Sequence, residues 1–224
     1  KFDLTSSDPN QWDVDLGGSP LFVATDAGGT RQPITGGLAL ARESGYARIW
    51  VNFGTGRLIS FSDLSSTTVQ SWYGIIDDDT AVTNGRSDLV LRGIAQVGTL
   101  SDGRKVRAFE AYSALPAGSR GWVVDLDEPT PGERIVSGPR INGRAAYVSS
   151  VIPSEGNGCE AGGAGFLNAI DVFTGTSPAD SSGTGSSSFF DLDGDGSGNN
   201  DTVGENGLPI GSIDPGVGMP TESA

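Results

Sequence analysis

The sequence contains no histidine and a single cysteine, Cys159. Without histidine there is no Ser-His-Asp triad, no histidine-assisted thiol and no imidazole metal ligand. One cysteine excludes a disulfide within the chain, although Cys159 can still pair with a cysteine outside it. It has no basic neighbour in sequence to lower its pKa, so a structural or disulfide role outranks a nucleophilic one. Basic residues are missing from the last third: all 14 lie at or before Arg144, beside 17 acidic ones, whereas 11 acidic residues and no Lys or Arg follow from Ala145 onward. A chain with this net charge of −14 repels nucleic acid and anionic membrane surfaces, and its natural small partners are cations. No apolar run approaches the roughly 18 residues of a membrane helix, so membrane insertion is not expected. Convincing helical periodicity is also absent. With 35 Gly and 12 Pro among 224 residues, the expected class is all-β.

What is present is hairpin grammar. Gly121-Trp122-Val123-Val124-Asp125-Leu126 reads as a strand, followed by a turn cluster through Pro129 and Pro131-Gly132. Arg134-Ile135-Val136 is a second strand candidate. Ala145 to Ile152 is a third, set behind an Asn142-Gly143 turn, and Gly165 to Phe173 is a fourth. Short β-branched and aromatic runs split by Asn-Gly and Pro-Gly signals are strands joined by tight turns. Earlier runs with the same character are Leu21–Thr25, Gly37–Ala41, Ala47–Phe53 and Val69–Ile76. Asp88–Val97 and Arg104–Ala111 can pair across Asp102-Gly103.

The fourth run restates the first: a glycine and an aromatic, then an apolar stretch closed by aspartate. Asp171 follows Asp125 by 46 residues, and Asp125 follows Asp77 by 48. Such intervals fit successive four-stranded propeller blades, with the three aspartates at equivalent places. An antiparallel sandwich whose strands end in turn-favouring Asp fits as well. On the blade reading, Trp122 and Phe166 are buried between adjacent sheets. The chain opens on Lys1-Phe2-Asp3-Leu4, which reads as the tail of a strand, so an N-terminal part is expected to be missing. Residues 1–175 are read as partial blades and 176–190 as a Ser/Gly-rich loop. Residues 191–202 are read as a cation loop and 203–224 as an acidic C-terminal segment.

Candidate chemistry is sparse. Asp77-Asp78-Asp79 could hold a cation, but it reads better as a solvated turn after a strand. Gly54-Thr55-Gly56 lacks the lysine and following helix of a phosphate loop. Carboxylates are abundant, but no pair is marked as facing a cleft, so no glycosidase is implied. One motif is sharper. Asp191, Asp193 and Asp195 occupy positions 1, 3 and 5 of a loop with Gly196 at position 6, a spacing that lets alternate oxygens converge on a hard cation. Ser197 offers its carbonyl, Asn199 an amide oxygen or a water, and Asp201 is the nearest substitute for the missing glutamate at position 12, which is Thr202. Ca²⁺ is the expected ion, because a long Gly-rich loop does not enforce a strict octahedron. The alternative is a flexible acidic linker, which the anchoring Phe189-Phe190 disfavours.

Gln32-Pro33-Ile34-Thr35, Asn52-Phe53-Gly54-Thr55-Gly56-Arg57, Ser62-Asp63-Leu64 and Gln70-Ser71-Trp72-Tyr73-Gly74-Ile75 occur in this order. Gly121 to Leu126, Gly132-Glu133-Arg134-Ile135-Val136, Ile152-Pro153, Cys159 and Gly165-Phe166 follow. Together they resemble the C-terminal β-propeller of the PilY1 (PilC) family of type IV pilus tip proteins, from Lys1 to about Gly175. Phe166 stands where that family more often has Trp, and Ser154 to Gly158 replaces a shorter approach to the cysteine. The resemblance implies the later blades of a propeller in a non-enzymatic adhesin and pilus assembly or retraction factor, and in that setting the cation loop is expected to make adhesion or retraction calcium-modulated. It further implies export through the periplasm to the bacterial surface, with minor pilins and a host or surface receptor as partners. A quinone-dependent dehydrogenase propeller is the enzymatic alternative, and the lack of His and of adjacent cysteines weighs against it.

Overall fold

The computed structural model describes residues 1–46, 48–154 and 162–220. Among the described residues the regular structure is mostly β, with almost no helix. A first ribbon pairs β1 (Phe2–Asp3) with β2 (Asp13–Val14). Then come β3 (Ala39–Arg42), β4 (Ile49–Gly54), a single helical turn α1 (Phe61–Leu64) and β5 (Ser71–Asp77). β6 (Val90–Arg92), β7 (Ile94–Thr99), β8 (Lys105–Phe109) and β9 (Gly121–Asp125) follow. The last stretch carries β10 (Arg140–Asn142), β11 (Ala145–Ile152), β12 (Ala164–Asp171), β13 (Thr202–Val203), β14 (Leu208–Pro209) and β15 (Ser212–Ile213). One sheet runs β3-β4-β5-β9-β6 and the other β10-β11-β12-β15-β8-β7; all their pairs are antiparallel except β6 with β9.

Alternation explains the core. In β4 and β5, Trp50, Trp72 and Ile76 face one side and Phe53, Tyr73 and Ile75 the other, the period-2 pattern of a pleated strand. The first set meets Trp122, Val148, Ile170 and Phe173, welding the two sheets together. The second set is covered by Phe22, whose ring lies 5.3 Å from Tyr73 and 6.4 Å from Phe53. The five-stranded sheet is therefore covered on both faces, which accounts for the near-continuous burial of β5 and β9. Trp122 and Phe166 are both buried as expected, at 0% and 2% exposure.

Several expectations need correction. The three aspartates do close strands β5, β9 and β12, but β5 and β9 are antiparallel neighbours in one sheet, with Ser71 opposite Asp125. The 48-residue interval is thus a step within a sheet, not from blade to blade. Asp125 is held there by Ser71 Oγ at 2.6 Å and Arg86 at 2.5 Å. Neither sheet stops at four strands. β6 adds to the edge of the first, while β15, β8 and β7 extend the second beyond β12. The expected acidic segment from 203 onward is not separate: Ile210, Ser212 and Ile213 are buried, and β15 bridges β12 and β8. Leu21–Thr25 and Arg134–Val136 form only isolated bridges, Thr25 with Arg31 and Arg134 with Val151. Their side chains pack on the sheets instead of extending them. Asp77 and Asp79 pair with Lys1, and Asp78 with Arg120 at 2.6 Å. Cys159, with its neighbours from Glu155 to Ala161, lies outside the described residues.

The stretch between β4 and β5 is fixed by two buried ionic groups. Asp63 accepts hydrogen bonds from the amides of Ile59 (2.9 Å) and Ser60 (2.8 Å) and from Arg57 Nε (2.9 Å). Arg134 donates to the carbonyls of Arg57 (3.0 Å), Asp63 (2.7 Å) and Ser66 (2.6 Å). The Arg57 hydrogen bond, followed by the two amides, holds the Asp63 carboxyl far below the usual carboxylate range. Folding lowers this pKa, so the unfolded chain binds the proton first as pH falls. The contribution of Asp63 is complete at neutral pH and erodes only below about pH 4, towards the depressed folded value. The amide resonances of Ile59 and Ser60 should accordingly keep their neutral-pH shifts through pH 4. Asp63→Asn should displace them at every pH, and displacement in the wild type near pH 5 would contradict the assignment.

Candidate metal centre

The acidic loop is anchored at both ends. Ahead of it, Ser188 donates its amide to the Gly198 carbonyl at 3.0 Å and its hydroxyl to the Ile210 carbonyl at 2.5 Å. Phe190 and Leu192 pack against the buried cluster of Val106, Ala108, Val203, Ile210 and Ile213. Behind it, the β13–β14 ribbon returns the chain to the six-stranded sheet. This packing distinguishes the stretch from a free linker.

Within the loop, Asp191, Asp193 and Asp195 are exposed and can each offer an oxygen such that all three lie within 4.8 Å of one another. Short local bonds set that convergence. Asp191 accepts from the amides of Gly194 (2.7 Å) and Gly196 (3.0 Å), Asp193 from Asp195 (3.1 Å), and Asp195 from Ser197 (2.8 Å). Gly194 and Gly196 adopt φ of +77° and +85°, the left-handed region that lets the loop turn so sharply. Three carboxylates this close repel one another unless a positive charge lies among them, and no basic residue is near in sequence.

Asp201 stands outside this converging group of three but feels its charge. It is 7% exposed; its Oδ1 accepts the Leu192 amide at 3.0 Å, while its Oδ2 is buried without a hydrogen-bond partner. Burial chiefly, opposed by that amide and reinforced by Asp193, Asp191 and Asp195, pushes its pKa upward. An orphaned carboxylate oxygen in the field of three further carboxylates is what a divalent cation relieves. Ser197 Oγ accepts the Asn199 amide at 3.1 Å. Asn200, which sequence reasoning passed over, spans Asp193 Oδ2 and Asp195 Oδ2 with its amide nitrogen, at 2.9 Å each. Its place immediately before Asp201 was the available signal. The donor set is all oxygen, so it suits a hard cation and offers nothing to a soft metal.

The PilY1 beta-propeller domain family matches residues 7–109. A type IV pilus biogenesis factor PilY1 homolog of Xylella fastidiosa is 36% identical over 214 residues, covering 94% of this chain and 16% of that protein. PilY1 of Pseudomonas aeruginosa is 26% identical over 182 residues, covering 72% of this chain and again 16% of the relative. The chain thus spans about a sixth of the length of these curated relatives. The crystal structure of the Pseudomonas aeruginosa PilY1 C-terminal domain superposes with a TM-score of 0.73 at 20% identity, over 92% of this chain and 43% of that one. The propeller-type arrangement of antiparallel sheets is therefore shared where sequence has diverged widely. With the domain family, the sequence relatives and the fold in agreement, the chain belongs to the PilY1 β-propeller family.

Proposed function

We propose that this chain forms the later blades of a PilY1-type propeller that serves at the type IV pilus tip, outside the cell. In this reading it is a non-enzymatic adhesin and a factor in pilus assembly and retraction, exported through the periplasm. Its partners are minor pilins and a host or surface receptor. The observation that carries the reading is the 36% identity across nearly the whole chain with a protein named as a type IV pilus biogenesis factor. In the organism encoding the chain, in-frame deletion of its coding stretch should remove surface pili or their adhesion. Unchanged piliation, adhesion and retraction would overturn the reading.

Calcium modulation enters through the acidic loop. Asp191, Asp193, Asp195 and the buried Asp201 would hold Ca²⁺, the cation quenching their repulsion and pairing the orphaned oxygen. The Ser197 carbonyl and Asn199 complete the proposed ring. Lacking a bidentate glutamate at position 12, the loop should bind with Kd on the order of 10⁻⁵–10⁻³ M. Calorimetry should detect uptake by the wild type and none by an Asp191→Ala/Asp195→Ala double variant. Because the loop is packed on β8 and β15, Tm should rise with calcium in the wild type alone. Equal uptake by both proteins, or none by either at millimolar calcium, would reduce the loop to an acidic linker.

A further inference from the structure

Remote from the acidic loop in sequence, a polar cavity of about 230 Å³ opens where the turn from Asp26 to Pro33, the α1 stretch, the approach to β5 and Arg134 meet. Its charged lining comprises three guanidinium groups (Arg31, Arg57, Arg134) and two carboxylates (Asp26, Asp63), a surplus of one positive charge in a chain of net −14. Arg134 and Asp63 are engaged in holding the loop. Arg31 is exposed, and its side chain has no hydrogen-bond or ion-pair partner among the described residues. Arg57 pairs with Asp63 at 2.8 Å but keeps its side chain 54% exposed.

Acceptors stand beside these donors. Asp26 uses Oδ1 for the amides of Gly28 (2.9 Å) and Thr30 (2.8 Å), and a carboxylate retains further lone pairs. Gln70 is buried; its Nε2 donates to Thr68 Oγ1 at 3.0 Å while its Oε1 has no partner. Exchanging the two amide atoms only moves the unpaired one to nitrogen. Buried polar atoms in folded proteins are nearly always partnered, and Gln70 Oε1, unpartnered just beneath the cavity wall, becomes an acceptor for a ligand after a small rotation of its side chain.

We propose that this cavity binds one sugar ring carrying a single carboxylate, a hexuronate, either free or at the end of a glycan. One carboxylate matches the surplus charge and suits the accessible guanidinium groups of Arg31 and Arg57. Ring hydroxyls, which both donate and accept, answer Asp26 and Gln70. Pro33 and Val69 supply the apolar wall for the ring's C–H face. The carboxylate side chain of an acidic peptide brings acceptors only, so donors for Asp26 and Gln70 would have to come from its backbone, and it offers no ring face to Pro33 and Val69. A neutral hexose leaves the charge unanswered. The cavity is smaller than the 300–1,000 Å³ or so usual for drug-sized ligands, so it fits one ring and not an oligosaccharide segment. This assignment rests on the cavity alone and stands apart from both the pilus reading and the calcium loop.

The test is calorimetric titration of the full chain with glucuronate and galacturonate beside glucose, galactose and glutamate, at fixed ionic strength and with calcium present. One uronate should saturate at millimolar concentrations, with the neutral hexoses and glutamate at least about tenfold weaker. Arg31→Ala should weaken uronate binding about tenfold with Tm unchanged, since Arg31 is exposed, and Arg42→Ala, outside the cavity, should leave it alone. An oligosaccharide ending in the preferred uronate, binding more tightly than the monosaccharide, would identify the glycan end as the source; equal binding would identify the free sugar acid. The proposal is overturned by absence of uronate binding, by glutamate or a neutral hexose binding as tightly, or by an Arg31→Ala protein that binds like the wild type.

Discussion

Glu133→Ala should destabilise the protein by about 3–5 kcal/mol, the range for stranding one member of a buried ion pair. Glu133 and Arg107 both have fully buried side chains, joined by two bonds of 2.6 and 2.9 Å. The guanidinium also donates to the Glu128 carbonyl (2.6 Å) and to Asn168 Oδ1 (2.7 Å), and stacks 3.8 Å above the Phe166 ring. Ser150 Oγ donates to Glu133, and Ser212 Oγ to Asn168 Oδ1 at 2.7 Å. The network therefore ties β8, β11, β12 and β15 to the stretch from Glu128 to Glu133. Removing the carboxylate leaves a buried cation with two carbonyl-type acceptors and no counter-charge. Glu133→Gln keeps the shape and one acceptor, so it should lose less. Paired apolar replacement of Arg107 and Glu133 should recover part of the loss, because the desolvation of both charges is then removed. Urea denaturation would measure all three. A loss below about 1 kcal/mol for Glu133→Ala would mean that water reaches the pair.

Most of the sheet was legible because its strands are local patterns. Ile49-Trp50-Val51-Asn52 alternates in burial until Phe53, which is covered from the other face. Asn142-Gly143 turns where expected, with Gly143 at φ +59°. What escaped depends on contacts distant in sequence. β15 is two residues long, with no pattern to mark it, and it joins the six-stranded sheet through partners near residues 107 and 167. Arg134-Ile135-Val136 has strand composition, yet Arg134 binds carbonyls of the α1 stretch and Ile135 fills the space beside Gly54, where a Cβ would come within 2.2 Å of it. At the acidic loop the convergence of Asp191, Asp193 and Asp195 followed from spacing alone. The burial of Asp201 did not, because it arises from Leu192 and the packed hairpin behind it.

Trp122→Ala should be the most damaging single truncation in the sheet interface, at the upper end of the roughly 3–5 kcal/mol typical of buried aromatics. The indole is fully buried, donates Nε1–H to the Val172 carbonyl at 2.9 Å and meets Trp72 edge-on at 5.9 Å. It also lies between two glycines. A Cβ on Gly74 would come 2.4 Å from the ring and one on Gly175 2.5 Å. Removing the ring thus opens a void walled by backbone, which collapses less readily than one walled by flexible side chains, and it leaves the Val172 carbonyl unpaired. Gly74→Ala alone should be strongly destabilising, since its new methyl strikes a ring that cannot move. Gly74 does not have a positive φ, so the backbone itself tolerates alanine. Combined with Trp122→Ala, that methyl enters the vacated space. The double variant should be less destabilised than the sum of the two single ones, by about 0.5–3 kcal/mol. Gly175→Ala offers no such relief, because its φ of +70° strains alanine whether or not the ring is present. Thermal melts of the four proteins in the Gly74–Trp122 cycle decide the matter: strict additivity would show that the indole does not lie against Gly74 in solution.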